Sequence, residues 1–233
     1  GENFNEYVRM NVTATQRLLE QARLSDQLLA FVAASSSSVY GSAMTFPTTE
    51  QTVPAPVSPY GVTKLAAEHL CTLYGTQFGV PTISLRYFTV YGPRQRPDMA
   101  ISKLINCALT ASTFRMNGDG SQRRDFTYVA DAVNANIQCA SLASTAYSKG
   151  LVFNVGGGST VSMNDVLEII EDITGKSIEV EQSPFSAGDP LITQASSNAL
   201  ANATHWSVRT AVKDGIARQI EDVLGKARNT DGP

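Results

Sequence analysis

Ser58-Pro59-Tyr60-Gly61-Val62-Thr63-Lys64 carries the marks of a helix start. Pro59 suits the first turn, where a missing N–H has no intrahelical carbonyl to lose. Once the helix begins, Tyr60 and Lys64 are four residues apart and share one face. Free tyrosine ionises near ~10, and a fixed positive charge within reach favours the phenolate. Such a pair makes a base that can take a proton from a sugar or alcohol hydroxyl while hydride leaves the same carbon. Alone, the spacing equally describes a surface pair on an ordinary helix.

The run just upstream, Phe31-Val32-Ala33-Ala34-Ser35-Ser36-Ser37-Ser38-Val39-Tyr40-Gly41, gives the pair a context. It reads as an apolar strand ending in hydroxyls, then a loop with Pro47, Pro54 and Pro56 leading to the Tyr60 helix. That order sets Ser36 beside Tyr60 at the C-terminal edge of an open α/β sheet, where such sheets bind ligands.

Working outward, periodicity predicts a helix over residues 5–24, a strand over 29–35 and the Tyr60 helix to about Phe78. Strands follow at 82–88, 114–116, 151–155 and 178–180. Helices are expected at 101–111, 129–142, 162–173 (Ser162 as N-cap, Gly175 as stop) and 210–224, with a frayed polar end. Alternating strands and helices argue for a parallel sheet covered on both faces. A dinucleotide-binding sheet should open with a strand, a glycine-rich turn and a helix. No such turn precedes Ser36. Gly156-Gly157-Gly158 is no substitute, because Val161 stands at the last glycine of G-x-G-x-x-G. At ~30 residues per βαβ unit, roughly 80–90 residues are expected in front of Gly1, as in a chain truncated, cleaved or recorded in part.

The chain has 233 residues, 42% hydrophobic and 17% charged, which is the composition of a globular protein with a full core. A net charge of −3 gives no reason to expect nucleic acid or an acidic membrane as partner. Cys71, Cys107 and Cys139 lie far apart and form no metal or redox motif, so buried free thiols are expected. His69 and His205 are isolated, and no metal site is expected. With no apolar run of spanning length and no signal segment, the expected setting is reducing and cytoplasmic. Hydrolysis by a serine nucleophile is disfavoured, since no G-x-S-x-G elbow or Ser–His pair is present.

Five segments in this order resemble the extended short-chain dehydrogenase/reductases, specifically the NAD-dependent nucleotide-sugar epimerases and dehydratases. They are Ser35–Gly41, Ser58–Lys64, Leu85–Met99, Gly118-Asp119-Gly120 with Arg124-Asp125-Phe126, and Phe153–Gly157. The words are most similar to those of UDP-glucuronate 4-epimerases. The resemblance implies a Rossmann-like doubly wound parallel sheet, its N-terminal half missing here, with a smaller α/β substrate domain. The expected division is 1–92 with 126–157 for the NAD-binding part, and 93–125 with 158–233 for the nucleotide-sugar part.

By that resemblance Tyr60 is the base, Lys64 lowers its pKa and holds the nicotinamide ribose, and Ser36 hydrogen-bonds the C4 oxygen. Tyr87 and Asn11 are implied contacts of NAD. For Tyr87 a core aromatic, and for Asn11 a buried amide tying helix to sheet, are the plain structural alternatives. The 4,6-dehydratases carry Asp then Glu after the catalytic serine, as acid and base for eliminating water; this chain has Ser37 and Ser38, so dehydration is disfavoured. Ser36, Ser37, Ser38 and Thr89, with Arg96 near by, are hydroxyl and guanidinium donors suited to a sugar carboxylate. Hydroxyls also bind hydroxyls, so UDP-glucose/UDP-galactose is the competing pair.

Arg124 matches the diphosphate-binding Arg. Asp189 belongs to the downstream substrate motif, but Ser186 stands where the family often has a second Arg, leaving Arg115 or Arg123 as replacements. A homodimer built from the first helix and the Tyr60 helix is implied, with Val12, Leu65 and Leu73 as candidate contacts. Two other classes stay open: a reductase that releases its cofactor, and a binding protein without NAD, which follows if the pyrophosphate has no helix N-terminus to sit on.

Overall fold

A computed structural model describes residues 3–145, 149–185 and 190–230, with 226–230 described as backbone. The predicted first helix is α1 (Phe4–Tyr7), a π-helical stretch Val8–Thr13 and α2 (Ala14–Arg23), helical without a break. Then come β1 (Phe31–Ser36), a 3-10 turn Ser37–Tyr40, α3 (Pro59–Phe78), β2 (Thr82–Tyr87) and β3 (Val90–Tyr91). After these follow α4 (Ala100–Thr110), β4 (Phe114–Asn117), β5 (Arg123–Asp125), β6 (Thr127–Tyr128) and α5 (Val129–Ala143). The chain continues through β7 (Leu151–Val155), β8 (Thr160–Ser162), α6 (Met163–Thr174), β9 (Val180–Ser183), α7 (Asn198–Thr204) and α8 (Val212–Thr230).

Strands β1, β2 and β7 form a parallel sheet in the order β1-β2-β7. The register pairs Ser36 with Tyr87 and Tyr87 with Val155, so three strand ends meet at one edge. Alternation divides β2 between the two faces. Ile83 and Leu85 pack with Ala135 and Cys139 of α5 and Leu200 of α7, while Thr82 and Arg86 turn toward α3. Leu19 of α2 and Cys71 and Tyr74 of α3 close the α3 face. Helices on both faces of a parallel sheet are the doubly wound arrangement, and they bury β2 almost end to end.

A second core lies where α4, α6 and α8 meet the short strand pairs β4-β9 and β5-β8; Ile101, Leu104, Ile170 and Ile216 are its buried centre. It draws in Tyr91, Phe126 and Tyr128 from the sheet's side of the chain. In the other direction, α7 and Trp206 pack on the sheet, although they fall within the 158–233 stretch assigned by sequence to the nucleotide-sugar part. Trp206 Nε1 donates to the Asp131 carbonyl at 3.0 Å, and the Asp131 carboxylate receives the N–H groups of Arg209 and Thr210, pinning this excursion to the start of α5. Sequence periodicity could not place α7, because seven residues show barely two turns.

Ser162 caps α6 as expected, and with Asp165 it closes a capping box worth about 1 kcal/mol. Gly156-Gly157 leads into β8 and not a helix, as its missing glycine suggested. A Cβ at Gly157 would lie 1.8 Å from the Phe126 carbonyl oxygen, so the glycine is there for a close crossing of two backbones. Cys71, Cys107 and Cys139 are buried free thiols. No helix among the described residues is long and apolar enough to cross a membrane.

Asp125 stitches the two cores. Its fully buried carboxylate accepts from Gly157 N at 2.5 Å and Ala195 N at 2.9 Å, and burial pushes it up from 3.8 to about 6. The folded form thus prefers the protonated acid. Its stabilising share is complete below about pH 4 and is lost as pH rises through about 6, on the order of 3 kcal/mol. Thermal melts are expected to show the advantage of wild type over Asp125→Asn shrinking between pH 4.5 and 7.5; an advantage that grows with pH contradicts this.

Candidate active site

Tyr60 stands on the first turn of α3, whose N-cap Ser58 accepts from Gly61 N at 3.1 Å. Across from it, β1 ends at Ser36. The Ser36 Oγ caps the 3-10 turn by accepting from Ser38 N at 3.1 Å, and it also reaches Ser38 Oγ at 3.1 Å. A Cβ added to Gly61 would lie 2.6 Å from the Ser38 carbonyl oxygen and 3.0 Å from Pro56 Cβ. Glycine is therefore what lets the catalytic-type helix approach the serine turn. Gly61→Ala is expected to push α3 off that turn and cut turnover about 100-fold with little change in KM, since a shift near 1 Å has that cost. Steady-state kinetics beside a thermal melt check this, and unaltered turnover refutes it.

A cavity of about 620 Å³ at the sheet edge is lined by Ser36, Ser37, Ser38, Tyr60, Lys64, Tyr87, Thr89 and Arg96. Eight of the eleven distinct residues proposed from sequence thus meet in one place. Burial pushes the Tyr60 hydroxyl up, while a hydrogen bond with Ser36 and the positive charge of Arg96 pull it down. The Lys64 ammonium lies 5.8 Å from the centre of the Tyr60 ring, and donates to the Ala34 carbonyl at 2.9 Å. Burial lowers its own pKa. Arg96 is exposed and forms an ion pair with Asp98 at 2.8 Å.

The remaining candidates are spread around this centre. Asn11 lies on the π-helical stretch and donates from Nδ2 to Thr63 Oγ1 at 3.0 Å, so it reaches the Tyr60 helix through a neighbour. The Tyr87 hydroxyl receives the Asn136 amide at 2.6 Å, and burial pushes it up to about 12. Arg124 lines a second cavity, of about 370 Å³, with Arg115, Lys103, Phe114, Gln122 and Thr89. A third, of about 200 Å³, joins Ser37 and Ser38 to Thr89 and Arg124. Thr89 is a wall of all three, so the serine end and the arginine end belong to one trough. Of the two replacement arginines, Arg115 lines this trough; Arg123 is spent on Thr160 and Asp165. Asp189 and Ser186 lie outside the described residues.

Residues 2–156 match the model of the NAD dependent epimerase/dehydratase family. The chain belongs to this family. An epimerase-family protein of Bacillus subtilis, described as an uncharacterized UDP-glucose epimerase, YtcB, is 41% identical over 220 residues, 94% of this chain and 68% of its own. A UDP-glucuronate 4-epimerase of Thermodesulfobacterium geofontis is 34% identical, over 94% of this chain and 66% of its own. The chain thus spans about two thirds of the length of these relatives. The solved UDP-glucuronic acid 4-epimerase of Bacillus cereus, in complex with UDP-glucuronic acid and NAD, superposes with a TM-score of 0.91 at 38% identity, covering 97% of this chain and 71% of that one.

The donor set of this family member fits one end of a nicotinamide dinucleotide. Lys64 Nζ offers donors to ribose hydroxyls, the Tyr60 phenol faces the same cavity, and Phe88 and Val90 give it apolar wall. Sequence reading missed Tyr7, which lines the cavity and sets its ring edge-on to Tyr60 at 5.9 Å. It also missed Gln95 and Met99, shared by the two larger cavities. Tyr7 carries no motif, and Gln95 and Met99 lie in the Leu85–Met99 segment without standing out there; their place in the cavity wall comes from tertiary packing.

Proposed function

We propose that the chain carries the catalytic centre of an NAD-dependent UDP-sugar 4-epimerase, with UDP-glucuronate and UDP-galacturonate as its pair. The reading rests on Tyr60, Ser36–Ser38, Thr89 and Arg96 lining one cavity. Bound NAD⁺ would supply the acceptor for the C4 hydride and the source of its return. Tyr60 removes the proton from the C4 hydroxyl and gives it back once the 4-keto sugar has turned over. Ser36 donates its one hydroxyl proton to the C4 oxygen, and the positive charge of Arg96 pulls the Tyr60 hydroxyl toward the phenolate that the first step needs. Lys64 holds the nicotinamide ribose, with Tyr87 and, through Thr63, Asn11 supporting that end. Ser37, Ser38, Thr89 and Arg96 hold the C5 carboxylate, and Arg124 with Arg115 holds the diphosphate.

A 4-keto uronate loses CO₂ readily unless its carboxylate is kept out of line with the carbonyl. Arg96 and Thr89 supply that restraint in this reading. Arg96→Ala and Thr89→Ala are expected to release several-fold more 4-keto pentose than wild type; equal release refutes the role.

A second reading, UDP-glucose and UDP-galactose, draws on one observation: Arg96 is already paired with Asp98, which leaves neutral hydroxyls facing the sugar. Following both nucleotide sugars by NMR separates the two, and absence of uronate conversion rejects the first. A reductase that releases its cofactor is distinguished by isolating the protein and assaying for retained NAD.

In this reading the NAD part is 1–92 with 126–157 and the sugar part is the remainder, except that the segment around α7 lies with the sheet. Three buried thiols suit a reducing, cytoplasmic setting. A homodimer through the first helices and α3 is supported by exposed Met10, Leu18, Val62 and Leu73. Val12 is only half-buried, and Leu65 packs inside against Val39, Tyr40 and Phe88, so of the three residues named for that contact Leu65 is spent within the fold.

A further inference from the structure

We infer that the buried Glu68–Arg86 ion pair, acting through Ser35 and Tyr40, is the device that sets the separation of Ser36 from Tyr60. Tyr60, Lys64 and Glu68 follow one another at four-residue steps down one face of α3. Tyr60 is at the mouth of the cavity and Glu68 is buried against the sheet. The Glu68 carboxylate receives Arg86 Nη2 at 2.6 Å, Arg86 Nε at 2.9 Å and the Ser35 hydroxyl at 2.7 Å. Arg86 Nη1 donates to the Tyr40 oxygen at 2.7 Å, and Tyr40 in turn donates to Asn154 Oδ1 at 2.7 Å.

Ser35 immediately precedes Ser36, and Tyr40 ends the 3-10 turn that Ser36 caps. Both ends of the serine segment are therefore tied to a single ion pair, and one partner of that pair sits two turns down the helix from Tyr60. Burying two charges costs several kcal/mol each, and well-packed apolar residues of similar size do as well or better for stability. What an apolar pair lacks is direction. A bidentate guanidinium–carboxylate fork with two hydroxyl arms holds four elements in one relative orientation: β1, the turn, α3 and β2. Glu68, Arg86, Ser35 and Tyr40 are positioning residues here; none of them lines the cavity except Ser35.

The inference rests on the epimerase reading for Tyr60 and Ser36, so its test includes a measurement that needs no turnover. Tyr40→Phe keeps the ring in place and removes the hydroxyl arm, and Ser35→Ala removes the other arm. Each is expected to lower kcat about tenfold with KM altered less than twofold, a fraction of the cost of a 1 Å displacement. Combined with Ser36→Ala, neither is expected to lower kcat further. Ser35→Thr is expected to restore the rate. Independently, the Tyr60 phenol is titrated by ultraviolet difference against the same variant carrying Tyr60→Phe. Arg96, Tyr7 and Lys64 also face that phenol and are unchanged in every variant. Drawing the Ser36 hydroxyl away from the phenol is expected to raise the Tyr60 pKa in both arm variants, and no titration shift in either overturns the inference. Unchanged kcat, or losses additive with Ser36→Ala, also overturn it. If no variant or wild type turns over, the epimerase reading fails and the titration alone decides the positioning role.

Discussion

Replacing Tyr60 by Phe is expected to lower turnover by about 10²–10⁴-fold, the range for loss of a positioned acid–base group. KM is expected to stay within about twofold and melting temperature within a few degrees. The physical reason is that one oxygen is removed from a residue 37% exposed, whose ring still packs edge-on against Tyr7. Of the other groups in the cavity, the serine hydroxyls ionise far above neutral pH, and Lys64 is engaged with the Ala34 carbonyl. Rates by NMR with both sugars check the outcome. A Tyr60→Phe protein keeping more than a tenth of wild-type turnover would remove the phenol from the mechanism.

Arg86→Leu is expected to have the largest effect on stability. It leaves the Glu68 carboxylate, 3% exposed, without its charge partner, and breaking a buried pair this way costs about 3–5 kcal/mol. For a chain of this size that corresponds to a fall of about 10 °C in melting temperature. Glu68→Leu with Arg86→Leu is expected to regain most of that loss, because no unpaired ion is left behind, yet not to regain turnover. Thermal melts of the three proteins beside their rates check both halves. A double variant as active as wild type would mean that the pair serves packing alone.

The sheet, its helices and the Tyr60 helix were legible because long periodic segments and end signals are local. Pro59 after Ser58, Gly79 after Phe78 and Ser162 before α6 each act within one turn of the residues they punctuate. The serine run and the Tyr–Lys pair were legible as chemistry because each group of residues lies on one short element. By contrast, α7, the strand pair β5-β8 and the crossing of Gly157 over Phe126 depend on partners far along the chain. Arg86 was a signal left unread: a charge within a strand buried almost end to end must find a buried partner. That partner lies 18 residues upstream, on a helix whose face had been noticed only for Tyr60 and Lys64.

By itself the sequence determined which residues can do chemistry, in what order they occur and which elements carry them, since hydroxyl, phenol and ammonium groups and helical spacing are properties of neighbours along the chain. Only the tertiary structure decided that Lys64 spends a donor on the Ala34 carbonyl, that Arg96 adds a favourable charge beside Tyr60, and that Arg115 rather than Arg123 opens on the trough. Those outcomes turn on distances between elements. Such distances are set by what is buried beneath them, here a glycine against a carbonyl and a guanidinium against a carboxylate.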